Sequence, residues 1–116
     1  MSYIDIILVN ELINVPTTVN LDFATERVDI SNRRDEFSVQ LTYNNGLSVN
    51  MDLVLEVSSD GELFSPISTQ NVTDSTGSHI FDVTGGTGTR YLRVSITVNS
   101  GSIDVQRIVY NGKRNH

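Results

Sequence analysis

Two histidines, no cysteine and no tryptophan bound the chemistry open to this 116-residue chain. A Ser-His-Asp or Cys-His relay needs an imidazole or a thiolate beside its nucleophile. His116 is the last residue, and His79 precedes Ile80-Phe81 at the start of an apolar strand, where an imidazole needs no catalytic role. The missing cysteines exclude disulfides, thiolate catalysis and Cys-ligated zinc or iron–sulfur centres. The carboxylates pair no better. Asp35 and Glu36 are neighbours, so on a strand they point to opposite faces, and Asp52 and Glu56 on one face stand roughly 13 Å apart, too far to flank a glycosidic bond. The expectation is a protein that is not an enzyme, with no catalytic residues and no cofactor.

Calcium is the metal the residue inventory suits best. Asp60, Glu62, Asp74 and the Gly85-Gly86 carbonyls are loop oxygens of the kind a hard cation takes, although no Asp-x-Asp-x-Asp spacing occurs. Gly85-Gly86-Thr87-Gly88 has the glycines of a phosphate loop without its lysine or helix. Asn71-Val72-Thr73 is a glycosylation sequon that matters only in a secreted eukaryotic chain. The net charge of −6, from 14 acidic and 8 basic residues, disfavours nucleic acid and anionic membrane as partners.

Seven of the eight cations are arginine, a usage that suits fixed ion pairs and interfaces. Tyr3, Tyr91 and Tyr110, with Arg93 and Arg107, are the candidate interface anchors, read as pointing outward from a sheet. Cross-strand packing is the competing reading of the same residues. The basic doublets Arg33-Arg34 and Lys113-Arg114 read as solvated ion-pairing groups.

The elements that must position these groups are strands. Alanine occurs once, and no window carries the 3.6-residue apolar period of a helix. Alternation places Phe37, Val39, Leu41 and Tyr43 on one face of a strand over 36–43, and Met51, Leu53, Leu55 and Val57 on one face of another over 50–58. Leu92, Val94, Ile96 and Val98 do the same over 90–99, with Tyr91, Arg93, Ser95 and Thr97 opposite. Further strands are expected over 3–9, 18–23 (Val19, Leu21 and Phe23 on one face), 28–30 and 79–84. Phe64, Ile67 and Val72 continue the chain after an Asp60-Gly61 turn. Tight turns are expected at Asn10-Glu11, Asn44-Asn45-Gly46 and Ser100-Gly101. Between Val105 and Ile108 the apolar parity slips by one residue, the mark of a bulge or of a strand crossing between sheets. The first strand is apolar on both parities, which predicts a central position or an outer face covered by another subunit. Residues 111–116 are expected to fray. The sum is one all-β domain over 1–116, an antiparallel β-sandwich of about 8–9 strands with jelly-roll character.

Three pieces carry a family resemblance. Glu56-Val57-Ser58-Ser59-Asp60-Gly61 with Phe64 is similar to the Asp-Gly turn signature of discoidin-like sandwiches. Arg90-Tyr91-Leu92-Arg93-Val94 resembles that family's Arg-Tyr strand, and Ser102 to Gly112 its closing strand. The pieces occur in the family's order over the last two-thirds of the chain. The bracketing cysteines and first-half tryptophan of the family are missing, so the resemblance implies its architecture and not its sugar or lipid binding. The chain also resembles the small cysteine-free sandwich proteins of tailed bacteriophages. That likeness implies a virion component (a capsid decoration or tail accessory), made in the host cytoplasm without a signal peptide. Such a protein would act by self-association and by docking on other virion proteins. The competing function is a carbohydrate-binding module. Loops around Asn32-Arg33-Arg34, Asn44-Asn45 and Asp60-Gly61 would then contact a glycan, with Tyr43 or Phe64 as the stacking surface.

Overall fold

Two long strands carry the architecture: β5 (Glu36–Ser58) and β8 (Tyr91–Arg114) run antiparallel over their whole length, from Glu36 opposite Lys113 to Ser58 opposite Tyr91. The computed structural model of the chain describes residues 6–13, 16–30, 36–84 and 89–114. The N-terminal segment lines the far side of β8 as β1 (Ile6–Ile13), β2 (Thr17–Val19), β3 (Phe23–Ala24) and β4 (Val28–Asp29). On the far side of β5 lie β6 (Ser65–Val72), against 51–57, and β7 (Gly77–Thr84), against 36–43. All pairings are antiparallel. No helix among the described residues is long and apolar enough to cross a membrane.

The alternation of the two long strands explains why this ribbon does not lie flat. Phe37, Val39, Leu41 and Tyr43 in the first half of β5 are buried, and so are Met51, Leu53 and Leu55 in the second. Leu92, Val94 and Ile96 match them in the first half of β8, and Ile103, Val105, Ile108 and Tyr110 in the second. These side chains belong to a single core cluster. Both halves of the ribbon bury one face, and they do so against each other because it bends at mid-length. Burial of each large aliphatic side chain contributes about 1.5–3 kcal/mol. The result is a sandwich whose layers are β1/β2–β8–β5–β7 and β3/β4–β8–β5–β6, the rolled ribbon of a jelly roll.

The bend explains several departures from the expected elements. Asn44-Asn45-Gly46 and Ser100-Gly101 are not hairpin turns. Both strands pass through these points and change sheet, with register shifts between Thr42 and Met51. Asn45 (φ 54°), Ser48 (φ 51°) and Gly101 (φ 79°) supply the left-handed residues that let the backbone swing round the corner. The turn expected at Asn10-Glu11 is also absent. β1 continues to Ile13 past a bulge that skips Leu12. Residues 18–23 do not form one strand, and Leu21 sits at the corner 77% exposed. Residues 111–114 do not fray, since Asn111 and Gly112 pair on one side with Val9 and Leu8 and on the other with Ser38 and Phe37. β1 is not central: it ends the strand order and pairs with β8 alone. The parity slip is a bulge at Gln106, where Thr42 faces Arg107 and Tyr43 faces Val105.

Candidate functional site

One end of the sandwich gathers arginines and aromatics from three parts of the sequence. Tyr91 and Arg93, two apart at the start of β8, share the outward face of their sheet, as the alternation requires. The turn between β5 and β6 lies beside them, and its geometry is built by side chains. The Ser58 hydroxyl donates to Asp60 Oδ1 at 2.8 Å, while the Glu62 and Leu63 amides donate to that same oxygen at 2.8 and 3.0 Å. The Gly61 amide donates to Ser58 Oγ at 2.8 Å. Amide bonds to the ionised form pull the Asp60 carboxyl down to about 2. Gly61 has φ 81°, and a Cβ there would collide with the Arg27 guanidinium, which crosses directly over it. Arg27 Nη1 donates to the Gly61 carbonyl at 2.9 Å.

Each aromatic ring at this end has guanidinium above it. Arg27 stands 4.7 Å and Arg90 5.2 Å from the Tyr91 ring centre, and Arg93 stands 4.1 Å from that of Phe64. Such contacts contribute about 0.5–1 kcal/mol each at exposed sites. Arg90 pairs with Asp29 at 3.1 Å, and Arg93 with the better-buried Glu56 at 2.9 Å. Arg27 has no carboxylate partner among the described residues. Next to this group an open depression of about 300 Å3 is lined by Ser58, Ser59, Asp60, Leu63, Ser65 and Thr89. The surface has the chemistry of recognition: oriented guanidinium donors, aromatic faces and hydroxyls.

The structure separates the four expected interface anchors that it describes. Tyr91 and Arg93 are together at this end. Arg107 is exposed but belongs to the other half of β8, opposite Thr42. Tyr110 does not point outward. It is 0% exposed, with its ring 5.6 Å from that of Phe37, because the Gln106 bulge returns residues 108 and 110 to the core side. Tyr3, Asn32, Arg33 and Arg34 lie outside the described residues.

The other loop positions scatter as well. Asn44 is at the opposite, corner end, where it accepts from Gln106 Nε2 at 2.7 Å. There the Asn45 amide and the Thr18 hydroxyl donate to Asp104 at 3.0 and 2.7 Å and hold its carboxyl below the usual range. Tyr43 offers no stacking surface, being buried in the core. Burial, then the nearby Asp74, raises its phenol's pKa. The calcium donors do not converge: Asp60 and Glu62 precede β6 and Asp74 follows it, so an eight-residue strand of roughly 27 Å separates them. Gly85 and Gly86 lie outside the described residues, among which no group of three or more acidic or histidine side chains gathers. His79 packs edge-on against Phe81, ring centres 4.5 Å apart, and burial lowers its pKa. Arg27 was not legible as a site residue, since it sits between two short strands and meets Tyr91 only through the fold. Arg90 entered only as the first residue of the Arg90–Val94 strand motif and not as an anchor.

No protein-family profile matches the sequence, and no curated protein is similar to it in sequence. Its fold does match solved structures. The PBSX exported protein XepA is similar over 94% of this chain at a TM-score of 0.60 and 13% identity, the match spanning 37% of XepA. The SPBc2 prophage-derived protein YomS is similar at a TM-score of 0.56 and 12% identity, over 96% of both chains. The CBM22-1–GH10 modules of Clostridium thermocellum xylanase 10B, solved with xylohexaose, match 98% of this chain at 0.59 and 12% identity, with 26% of that chain covered. Likeness at these identities establishes the all-β sandwich fold.

Proposed function

We propose that this protein is a non-enzymatic bacteriophage virion component, a capsid decoration or tail accessory, that works by self-association and by docking on other virion proteins. The observation that carries the reading is the Arg27–Tyr91–Arg90 stack beside Arg93–Phe64. Tyr and Arg held in fixed geometry are the side chains that dominate protein contacts. Arg27, with no carboxylate partner among the described residues, is the group a partner's acidic side chain would meet. The sandwich shared with XepA and YomS supports the phage setting. A discoidin-like relationship draws support from the convergence here of the Ser58–Phe64 and Arg90–Val94 pieces. The test is fractionation of particles from induced cultures carrying the gene. The chain should sediment with assembled virions in a fixed stoichiometry and be lost from them in an Arg27→Ala/Tyr91→Ala variant. Recovery only among soluble proteins would refute the reading.

Glycan binding is the second reading, supported by the carbohydrate-binding module among the similar folds and by an amide–carboxylate cluster on the sheet's outer face. There the Asn71 amide donates to Asn50 at 3.0 Å and Asp52 at 2.9 Å, and the Asn99 amide to Asp52 at 3.3 Å. Against it, guanidinium stands over Tyr91 and Phe64, leaving fewer bare rings for a sugar. A glycan array without a binder would remove it.

A further inference from the structure

β6 is an edge strand whose C-terminal part lacks the features that usually keep edges apart. Among the described residues it pairs with β5 alone, and every side chain from Ser65 to Asn71 is exposed, Ile67 by 43%. No charged residue occurs from Leu63 to Thr73, in a chain where 22 of 116 residues (14 acidic plus 8 basic) are charged. Monomeric sheets commonly block an open edge with charge, proline, a bulge or short length. The opposite edge uses length: beyond β1 it is broken into strands of three, two and two residues. The β7 edge carries exposed Asp82. β6 has two such devices, Pro66 and a bulge at Ile67, and both fall in its first three residues. Ser68-Thr69-Gln70-Asn71-Val72 stays regular, in unbroken register with Leu55 to Met51.

We infer that Ser68–Val72 is a self-pairing edge, joining two copies of this chain as antiparallel β6 strands about a two-fold axis near Gln70. Charge selects the occupant. Two chains of net charge −6 repel over most of their surfaces, and an edge of Ser, Thr, Gln, Asn and Val meets its own copy with no charge opposed. Asp52, opposite Asn71 on the neighbouring strand, is already bonded by the Asn71 and Asn99 amides. In an antiparallel edge alternate residues present both backbone groups outward, so two-fold pairing of five residues forms about four to six hydrogen bonds and makes the sheet continuous across the dimer. This site deepens the self-association proposed above and leaves the Arg27–Tyr91 end free to dock elsewhere.

The test is mass by light scattering for wild type and a Thr69→Lys/Gln70→Lys variant. Two lysines change the net charge from −6 to −4, so any dissociation cannot come from greater overall repulsion. Wild type should show twice the 12.8 kDa chain mass, and the variant one chain mass with its strand circular dichroism retained. As a check independent of that variant, Gln70→Cys, which faces its own copy at the axis, should oxidise to a linked dimer in this cysteine-free chain, while Ser68→Cys, whose partner across the axis is Val72, and Ser78→Cys on β7 should not. Residues paired across the axis would stand about 4.5–5.5 Å apart, within disulfide reach. A single-chain mass for wild type at every soluble concentration overturns the inference and the self-association together. An oligomer unaffected by the lysines and uncrosslinked at Gln70→Cys overturns this edge and leaves self-association standing.

Discussion

Substituting Gly101 by alanine tests the corner on which the sandwich depends. Gly101 has φ 79°, and a Cβ there would run into the carbonyl oxygens of Leu47 and Ser48, with the Ser48 carbonyl carbon at 2.7 Å. These are backbone atoms of the adjacent long strand, held at Leu47 by pairing with Ser102 and at the Ser48 carbonyl by the Ser100 hydroxyl, so they cannot swing away as a side chain would. Left-handed backbone costs an L-residue about 1–2 kcal/mol. Forcing a methyl against a packed neighbour adds about 1–3 kcal/mol. The expected loss is therefore about 2–5 kcal/mol, a large share of the 5–15 kcal/mol typical of a domain. At roughly 3–5 °C per kcal/mol for a chain this size, the midpoint should fall by about 6–25 °C. Gly77→Ala is the control. Its Cβ meets only the Tyr43 ring, at 3.1–3.3 Å, without a positive φ, and the entropy gained by removing a glycine offsets that contact. Urea and thermal unfolding of the two variants measure the difference. A Gly101→Ala stability within about 1 kcal/mol of wild type, or equal to that of Gly77→Ala, would show that β8 does not pass round a crowded corner at this residue.

Tyr110→Ala should cost about 3–5 kcal/mol in urea unfolding, the range for emptying a large core site; a loss under about 1 kcal/mol would return Tyr110 to the surface. Arg93→Ala should lower stability by about 1–2 kcal/mol, since it leaves the Glu56 carboxylate unpaired and uncovers Phe64; a double-mutant cycle with Glu56→Gln showing no coupling would refute the pair. Asp60→Ala should be less stable than wild type at neutral pH. The folded carboxyl lies at about 2, below its ordinary 3.8, so its contribution is present above 3.8 and is lost as pH falls through about 2. Unfolding curves that stay apart below that pH would contradict the capped turn. His79 has the opposite ionisation and titrates higher: burial lowers its folded pKa below the ordinary 6.5, so as pH falls the unfolded chain binds the proton first. Its contribution is complete above 6.5 and declines below it. Comparing wild type with His79→Gln from pH 7.5 to 5 (~2.5 units spanning the ordinary value) should show the steeper decline in wild type.

The strands of the two layers were legible in the sequence wherever burial on one face imposed a period of two. Phe37 to Tyr43, Met51 to Val57 and Leu92 to Ile96 all lie on the face that alternation assigns them. The Asp60-Gly61 turn was legible too, because its geometry is set by hydrogen bonds among neighbours in sequence. Asn45 and Gly101 lay in the expected tight turns and do take positive φ, yet a left-handed residue serves a reversal and a corner equally well. Which one forms depends on the strand alongside, and here β5 and β8 stay paired through the bend by shifting register. The same limit applies to Tyr110. The parity slip was visible, but the face beyond the bulge is chosen by the strand opposite. Local sequence therefore determined the long strands, the core residues that alternate along them and the capped turn. Whether each punctuation mark turns the chain back or carries it into the other sheet, and hence whether Arg27 reaches Tyr91, was decided by pairing between residues tens of positions apart, because those contacts alone set where the ribbon bends.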